Sequence, residues 1–175
     1  IPATRSRHSR RASPPQTVAG DTMSIVRLTL DGKSVELDTS ANSSLLRAMR
    51  DAGHTRAQGA CEQGECGSCL VRIDGIVQNS CLVPVAICDD STVETVASLI
   101  NPDLADAFVK HGAVQCGFCT PGFVIAAEAA LASGTELTHE SVRERLAGNI
   151  CRCTGYHAII EAVLEVSQLR RSSTR

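Results

Sequence analysis

Eight of the nine cysteines in this chain fall into two sets whose spacing suits four-thiolate iron–sulfur chemistry. The first is Cys61-x4-Cys66-x2-Cys69 followed by Cys81. The second is Cys116-x2-Cys119 followed by Cys151-x-Cys153. The x4-then-x2 triad is the plant-type spacing for a [2Fe–2S] core, which passes one electron at a time. A cluster held by four thiolates carries a formal charge of about −2 oxidised and −3 reduced, so its loop must aim many N–H groups at the sulfurs. Gly59, Gly64 and Gly67 fit that need, because glycine allows close backbone approach and positive φ, and successive N–H groups form an anion-binding nest. The second set on its own suits Zn2+ as well as iron, since C-x2-C pairs serve both.

The elements around these cysteines are readable. Ile25–Leu30 alternates, Asp31-Gly32 breaks the run, and Ser34–Asp38 resumes it, the pattern of a hairpin. Asn42 or Ser43 can cap a helix carrying Leu45, Leu46 and Met49 that stops at Gly53. After the cysteine loop come strands at Leu70–Ile73 and near Ile76–Asn79, joined by Asp74-Gly75. Beyond Leu99 the period turns helical. Asn101-Pro102 and Thr120-Pro121 mark two helix starts, Thr138 opens a third helix bearing Val142 and Leu146, and Ile159, Ile160, Val163 and Leu164 mark a fourth. Cys119 thus stands at a helix N-terminus, where free N–H groups favour an anion. Residues i and i+2 of a helix diverge by about 200°, so Cys151 and Cys153 require an irregular segment, which Gly148 and Gly155 bracket.

Composition sets the bounds. A chain of 175 residues with two separate cysteine sets favours two small domains, each of a size at which the core alone gives marginal stability and a bound cluster can supply the rest. Arg5, Arg7, Arg10 and Arg11 against Asp21 leave residues 1–22 at +3, so the remainder carries −5 of the net −2. An acidic body with three Phe, one Tyr and no Trp offers no footprint for nucleic acid. No apolar run reaches membrane-spanning length and no secretory signal is visible. C-x-C and C-x2-C pairs make poor disulfide frameworks and good metal clamps, so the expected compartment is the cytoplasm. Residues 1–22, rich in Arg, Ser and Pro, read as a disordered extension or a leftover upstream of a start at Met23, with a targeting peptide as the runner-up. Residues 170–175 read as a frayed tail.

Other chemistry is missing from the sequence. There is no Walker A loop, no G-x-G-x-x-G after a strand, no H-E-x-x-H and no G-x-S-x-G. His139-Glu140 starts a zincin-like string but lacks its second histidine, and His54, His111 and His157 read as surface or helix-end residues. Cys88, inside an apolar stretch, reads as a small buried hydrophobe.

Four motifs go beyond spacing. They are Cys61-Glu62-Gln63-Gly64-Glu65-Cys66-Gly67-Ser68-Cys69, then Asn79-Ser80-Cys81-Leu82, then Gln115-Cys116-Gly117-Phe118-Cys119-Thr120-Pro121-Gly122, then Gly148-Asn149-Ile150-Cys151-Arg152-Cys153-Thr154-Gly155-Tyr156. In this order they resemble the small iron–sulfur subunit of molybdenum hydroxylases, the xanthine oxidase family, over about Ile25–Leu169. The resemblance implies an α+β chain. Its N-terminal β-grasp plant-type ferredoxin domain would occupy residues 23–97, and an all-α four-helix [2Fe–2S] domain residues 98–169. It implies that Cys61, Cys66, Cys69 and Cys81 hold an outer cluster, and that Cys116, Cys119, Cys151 and Cys153 hold an inner one beside a molybdopterin. It further implies that Gln115 and Cys153 approach the pterin, and that there is no catalytic residue on this chain. A large molybdopterin-binding subunit and a medium FAD-binding subunit would be partners, since no molybdenum or flavin domain follows the fourth helix. A dimer of heterotrimers is one assembly such a family allows. A free-standing two-cluster ferredoxin and a zinc-stabilised interaction module are the competing readings.

Overall fold

A computed structural model describes residues 23–173. The expectations for residues 1–22 and for the last two positions lie outside the described residues.

Strand β1 (Met23–Leu30) pairs antiparallel with β2 (Lys33–Ser40), Leu30 opposite Lys33. The turn between them places Asp31 at φ 48° and Gly32 at φ 79°, the two positive values that match the twist of a two-residue hairpin. Asp74 and Gly75 repeat the device between β3 (Leu70–Ile73) and β4 (Ile76–Asn79). Helix α1 (Leu45–Asp51) is capped by Ser44, whose hydroxyl accepts from Arg47 N–H; the sequence points to Asn42 or Ser43. Ser44 takes the position because its backbone bridges Pro84 and Leu45 N–H bonds Val83, which fixes where the helix can begin.

The sheet has the order β2-β1-β5-β3-β4. Its middle strand, β5 (Thr92–Glu94), runs parallel to β1 and antiparallel to β3. Sequence periodicity does not find it, because three residues are too few to alternate recognisably. Val26, Leu28, Leu37, Leu45, Met49, Val71 and Val93 belong to one apolar core between α1 and this sheet.

After a short helix α2 (Val96–Leu99), the second half is helical: α3 (Pro102–Lys110), α4 (Thr120–Ala132), α5 (His139–Arg145) and α6 (His157–Ser173). Its core gathers Leu104, Phe108, Phe123, Val142, Ile159 and Val163. Helix α4 is apolar on all sides because it is covered twice. Phe123 and Val124 face the helical core, and Ile125 is buried on the side that packs across β3 and α2. That second face is covered by β3 and α2 of the same chain.

Two polar clamps tie the halves and the tail. Asp31 accepts from Thr95 N–H (2.7 Å), Thr95 Oγ1 (2.7 Å) and Ser98 Oγ (2.6 Å), fixing the first hairpin to the connection into α2. Helix α6 continues past Leu169, where fraying is expected, to Ser173. The reason is Arg170, which grips Asp103 (2.7 and 2.8 Å) and Glu128 (2.8 and 3.1 Å) on α3 and α4. Replacing Arg170 with Ala leaves two partly buried carboxylates without their cation and is expected to cost about 1–3 kcal/mol, discounted for partial exposure. Urea unfolding checks it. Arg170 holds the Asp103 carboxyl below its usual range, so this contribution is full above the ordinary aspartate range and fades as pH falls through the lowered value.

Candidate metal centres

The first set is built on the loop between α1 and β3 and on the residues after β4. Glu62 (φ 52°), Gly64 (φ 80°) and Gly67 (φ 67°) coil the loop so that its amides turn inward. Gln63 N–H points at Cys61 Sγ (3.4 Å). Asn79 pins the loop from the far side: its Nδ2 donates to Gly64 O (3.1 Å), and its Oδ1 lies 3.7 Å from Cys69 Sγ. Buried Ser80 donates to Cys69 O (2.7 Å). Cys66 helps to lower the Cys61 thiol, and Cys69 helps to raise that of Cys81. The Gln63 amide leads the influences that bring the Cys61 thiol down to about 7, while burial and Cys69 push Cys81 up to about 11.

The second set joins the N-terminus of α4 to the irregular segment before α6. Cys119 is the residue immediately before α4, and Phe123 N–H returns to its carbonyl. Cys153 Sγ sits 3.5 Å from Cys116 Sγ, and Cys119 is within hydrogen-bond reach of Cys151. Buried Cys151 Sγ faces three donors: Cys153 N–H (3.4 Å), Thr154 N–H (3.4 Å) and Thr154 Oγ1 (3.2 Å). Burial works to raise the Cys151 thiol, but these donors outweigh it and bring it to about 7. Half-buried Cys119 is pushed up to about 12 by desolvation and by its neighbour Cys151. Both sets therefore place a polarised sulfur beside a desolvated one.

The arrangement suits a two-iron core. Zinc bonds of about 2.3 Å bring four tetrahedral thiolates within roughly 3.8 Å of one another. Among the described residues, the one group of three or more donors that all lie within 4.8 Å contains no thiol. The sulfurs fall into couples: Cys116 Sγ lies 3.5 Å from Cys153 Sγ, and the thiols of Cys61 and Cys66, of Cys69 and Cys81 and of Cys119 and Cys151 act on one another. Two thiolates per iron, set apart by the two-iron core, is the requirement of a [2Fe–2S] cluster. Cys88 is apart from both sets, buried, with its thiol near Pro84 O (3.8 Å).

The two loops meet directly. Ile150 N–H donates to Cys66 O (3.0 Å), and buried Asn149 Nδ2 donates to Gly67 O (3.2 Å). A Cβ on Gly67 would stand 2.6 Å from Gly148 O, and one on Gly122 would press into the Gly67 carbonyl. Sequence reasoning missed Asn149 and also Tyr156, whose hydroxyl accepts from Cys151 N–H (3.0 Å) while its ring meets Phe123 edge-on at 6.1 Å. Tyr156 adopts φ 71°, a costly conformation for a bulky residue; the T-G-Y string after Cys153 is its only signal. Gln115 is exposed beside exposed Cys116, and its side chain has no hydrogen-bond partner among the described residues. Val114, Phe118, Ile150 and Tyr156 make an exposed apolar rim in the segments that carry the second thiol set, where Cys116 and Cys153 are also exposed.

Two family models match successive, slightly overlapping stretches of the chain. Residues 28–96 match the 2Fe-2S iron-sulfur cluster binding domain family, and residues 92–164 match the [2Fe-2S] binding domain family. The chain is 36% identical over 151 residues to the xanthine dehydrogenase iron-sulfur-binding subunit of Escherichia coli O157:H7, covering 83% of this chain and 95% of that one. It is 39% identical over 146 residues to the nicotine 6-hydroxylase small subunit of Paenarthrobacter nicotinovorans, covering 75% and 88%. Its fold matches a chain of quinoline 2-oxidoreductase from Pseudomonas putida 86 with a TM-score of 0.79 at 36% identity, covering 86% and 97%. Among the described residues, no helix is long and apolar enough to cross a membrane.

Proposed function

We propose a function from the premise that this chain belongs to the family of [2Fe–2S]-binding small subunits of molybdenum hydroxylases: it is the electron-transfer subunit of such an oxidoreductase. The observation that carries this reading is the pairing of eight thiols into four couples on two loops that touch. The bound clusters supply one-electron acceptor and donor chemistry, and no substrate step belongs to this chain.

On this reading residues 23–97 form a β-grasp ferredoxin domain and residues 98–169 a four-helix domain. Cys61, Cys66, Cys69 and Cys81 hold the outer cluster, and Cys116, Cys119, Cys151 and Cys153 the inner one. The amides of Gln63, Cys153 and Thr154 offset the negative charge on the sulfurs, which tunes the potential as well as the fold. The Ile150–Cys66 hydrogen bond links the backbone next to Cys151 to that of an outer ligand, a short coupling between the halves. Exposed Gln115 offers an amide that can both donate and accept, the match for a pterin edge, with Cys153 beside it. The apolar rim of Val114, Phe118, Ile150 and Tyr156 favours a standing partner over a free shuttle, which keeps charged surface outward. The partners are then a large molybdopterin-binding subunit and a medium FAD-binding subunit. A need for reduced thiols favours the cytoplasm as the compartment of the complex.

Purification of the native complex tests this. The chain is expected to travel with a molybdenum-containing and a flavin-containing polypeptide and to carry about four irons. A colourless protein with about two zinc ions overturns the reading. Replacing Gln115 with Ala is expected to keep the iron and lower turnover of the complex by roughly tenfold, the worth of one hydrogen bond; steady-state assay beside iron analysis checks it.

A further inference from the structure

His139, His157 and Glu161 lie outside both thiol sets. Each offers one ligand atom, and the three atoms lie within 4.8 Å of one another. His139 is the first residue of α5 and His157 the first of α6, with Glu161 one turn further on. The spacing from 157 to 161 puts both α6 donors on one helix face. The two imidazoles stand with ring centroids 6.0 Å apart and planes inclined at 39°. None of the three side chains has a hydrogen-bond or ion-pair partner among the described residues. They are near enough to converge, yet they do not satisfy one another. His139 and His157 also border a cleft of about 670 Å³ between α5 and α6, which leaves a fourth ligand position open to water.

We propose that His139, His157 and Glu161 form a binding site for a divalent transition-metal ion of zinc type, clasping the N-termini of α5 and α6. Two imidazole nitrogens, one carboxylate oxygen and a water make the four-coordinate set that Zn2+ prefers. Bonds of about 2.0–2.1 Å place tetrahedral ligands roughly 3.3 Å apart, so the three side chains need close in by only about an ångström or so. Both helix N-termini are partially positive and oppose a cation. Glu161 supplies charge directly, and Glu140 and Glu144 on the same cleft offset Arg143. The two imidazoles disfavour Ca2+ and Mg2+, which take all-oxygen sets. The ion fixes the far ends of the stretch from α5 to α6, which carries Cys151 and Cys153. It therefore stiffens the segment around the second thiol set from outside, without sharing a ligand with it.

The test is titration of the iron-loaded full chain with Zn2+ after chelator treatment, followed by equilibrium dialysis and the visible spectrum. The expected result is about one Zn2+ per chain at micromolar concentration, iron content and spectrum unchanged, and a raised melting midpoint. His139→Ala and His157→Ala are each expected to weaken binding on the order of 100-fold, and Glu161→Gln on the order of 10-fold, at or beyond the effects of lost supporting contacts. Absence of saturable Zn2+ binding at micromolar concentration overturns the proposal. So does one equivalent bound with undiminished affinity by His157→Ala, which locates the ion elsewhere. Because these readouts concern zinc at intact iron content, their failure leaves the electron-transfer reading standing.

Discussion

Replacing Cys69 with Ala is expected to halve the iron of the chain, from about four to about two, and to abolish one of two reduced [2Fe–2S] signals in electron paramagnetic resonance. Cys69 is buried, paired with Cys81, and held through its carbonyl by Ser80 and at its sulfur by Asn79. The effect extends to stability, because the sheet half is small and its cluster is part of its core. Loss of one cluster is expected to lower the melting midpoint of that half well below that of the parent chain. Cys88→Ser is the matched control, since Cys88 is as buried but belongs to neither set. It is expected to keep about four irons. Full iron content in Cys69→Ala, or loss of iron in Cys88→Ser, defeats the ligand assignment.

Gly122→Ala carries the second large effect. The added methyl would press into the Gly67 carbonyl and stand 3.0 Å from Asn149 Nδ2, so backbone blocks it on one side and a buried amide on the other. A flexible side chain could yield; these groups cannot without parting the two loops. Overpacking of this kind costs about 3 kcal/mol, a fall in melting midpoint on the order of 10 °C for a chain of this size. Iron content is expected to stay at about four, because no thiol is displaced. Calorimetry beside iron analysis separates the two outcomes. An unchanged midpoint would show that the loops do not meet as described.

Much of the fold and of both thiol sets is legible in the amino-acid order alone. The thiol sets stand in the sequence because metal ligands are fixed by type and spacing. Asp31-Gly32 and Asp74-Gly75 are legible because two consecutive positive φ values leave few residue choices. Asn101-Pro102 and Thr138 mark helix starts for equally local reasons. What escapes depends on distant partners. β5 is a strand only because β1 and β3 lie on either side of it. Ser44 caps α1 because Val83 and Pro84 hold that end. Arg170 extends α6 by reaching two other helices. The coupling of Cys116 to Cys153, and the meeting of His139 with His157, join residues far apart in the chain. His139-Glu140 looks incomplete in one dimension because its companion arrives from another helix.

The interlock of Gly67, Gly122 and Asn149 has a consequence for timing. A carrier whose two stations hang on a hinge must wait for a favourable swing, and its throughput then slows as the medium thickens. Here both stations are bolted into one frame, so each hop starts from the same geometry and owes nothing to solvent drag.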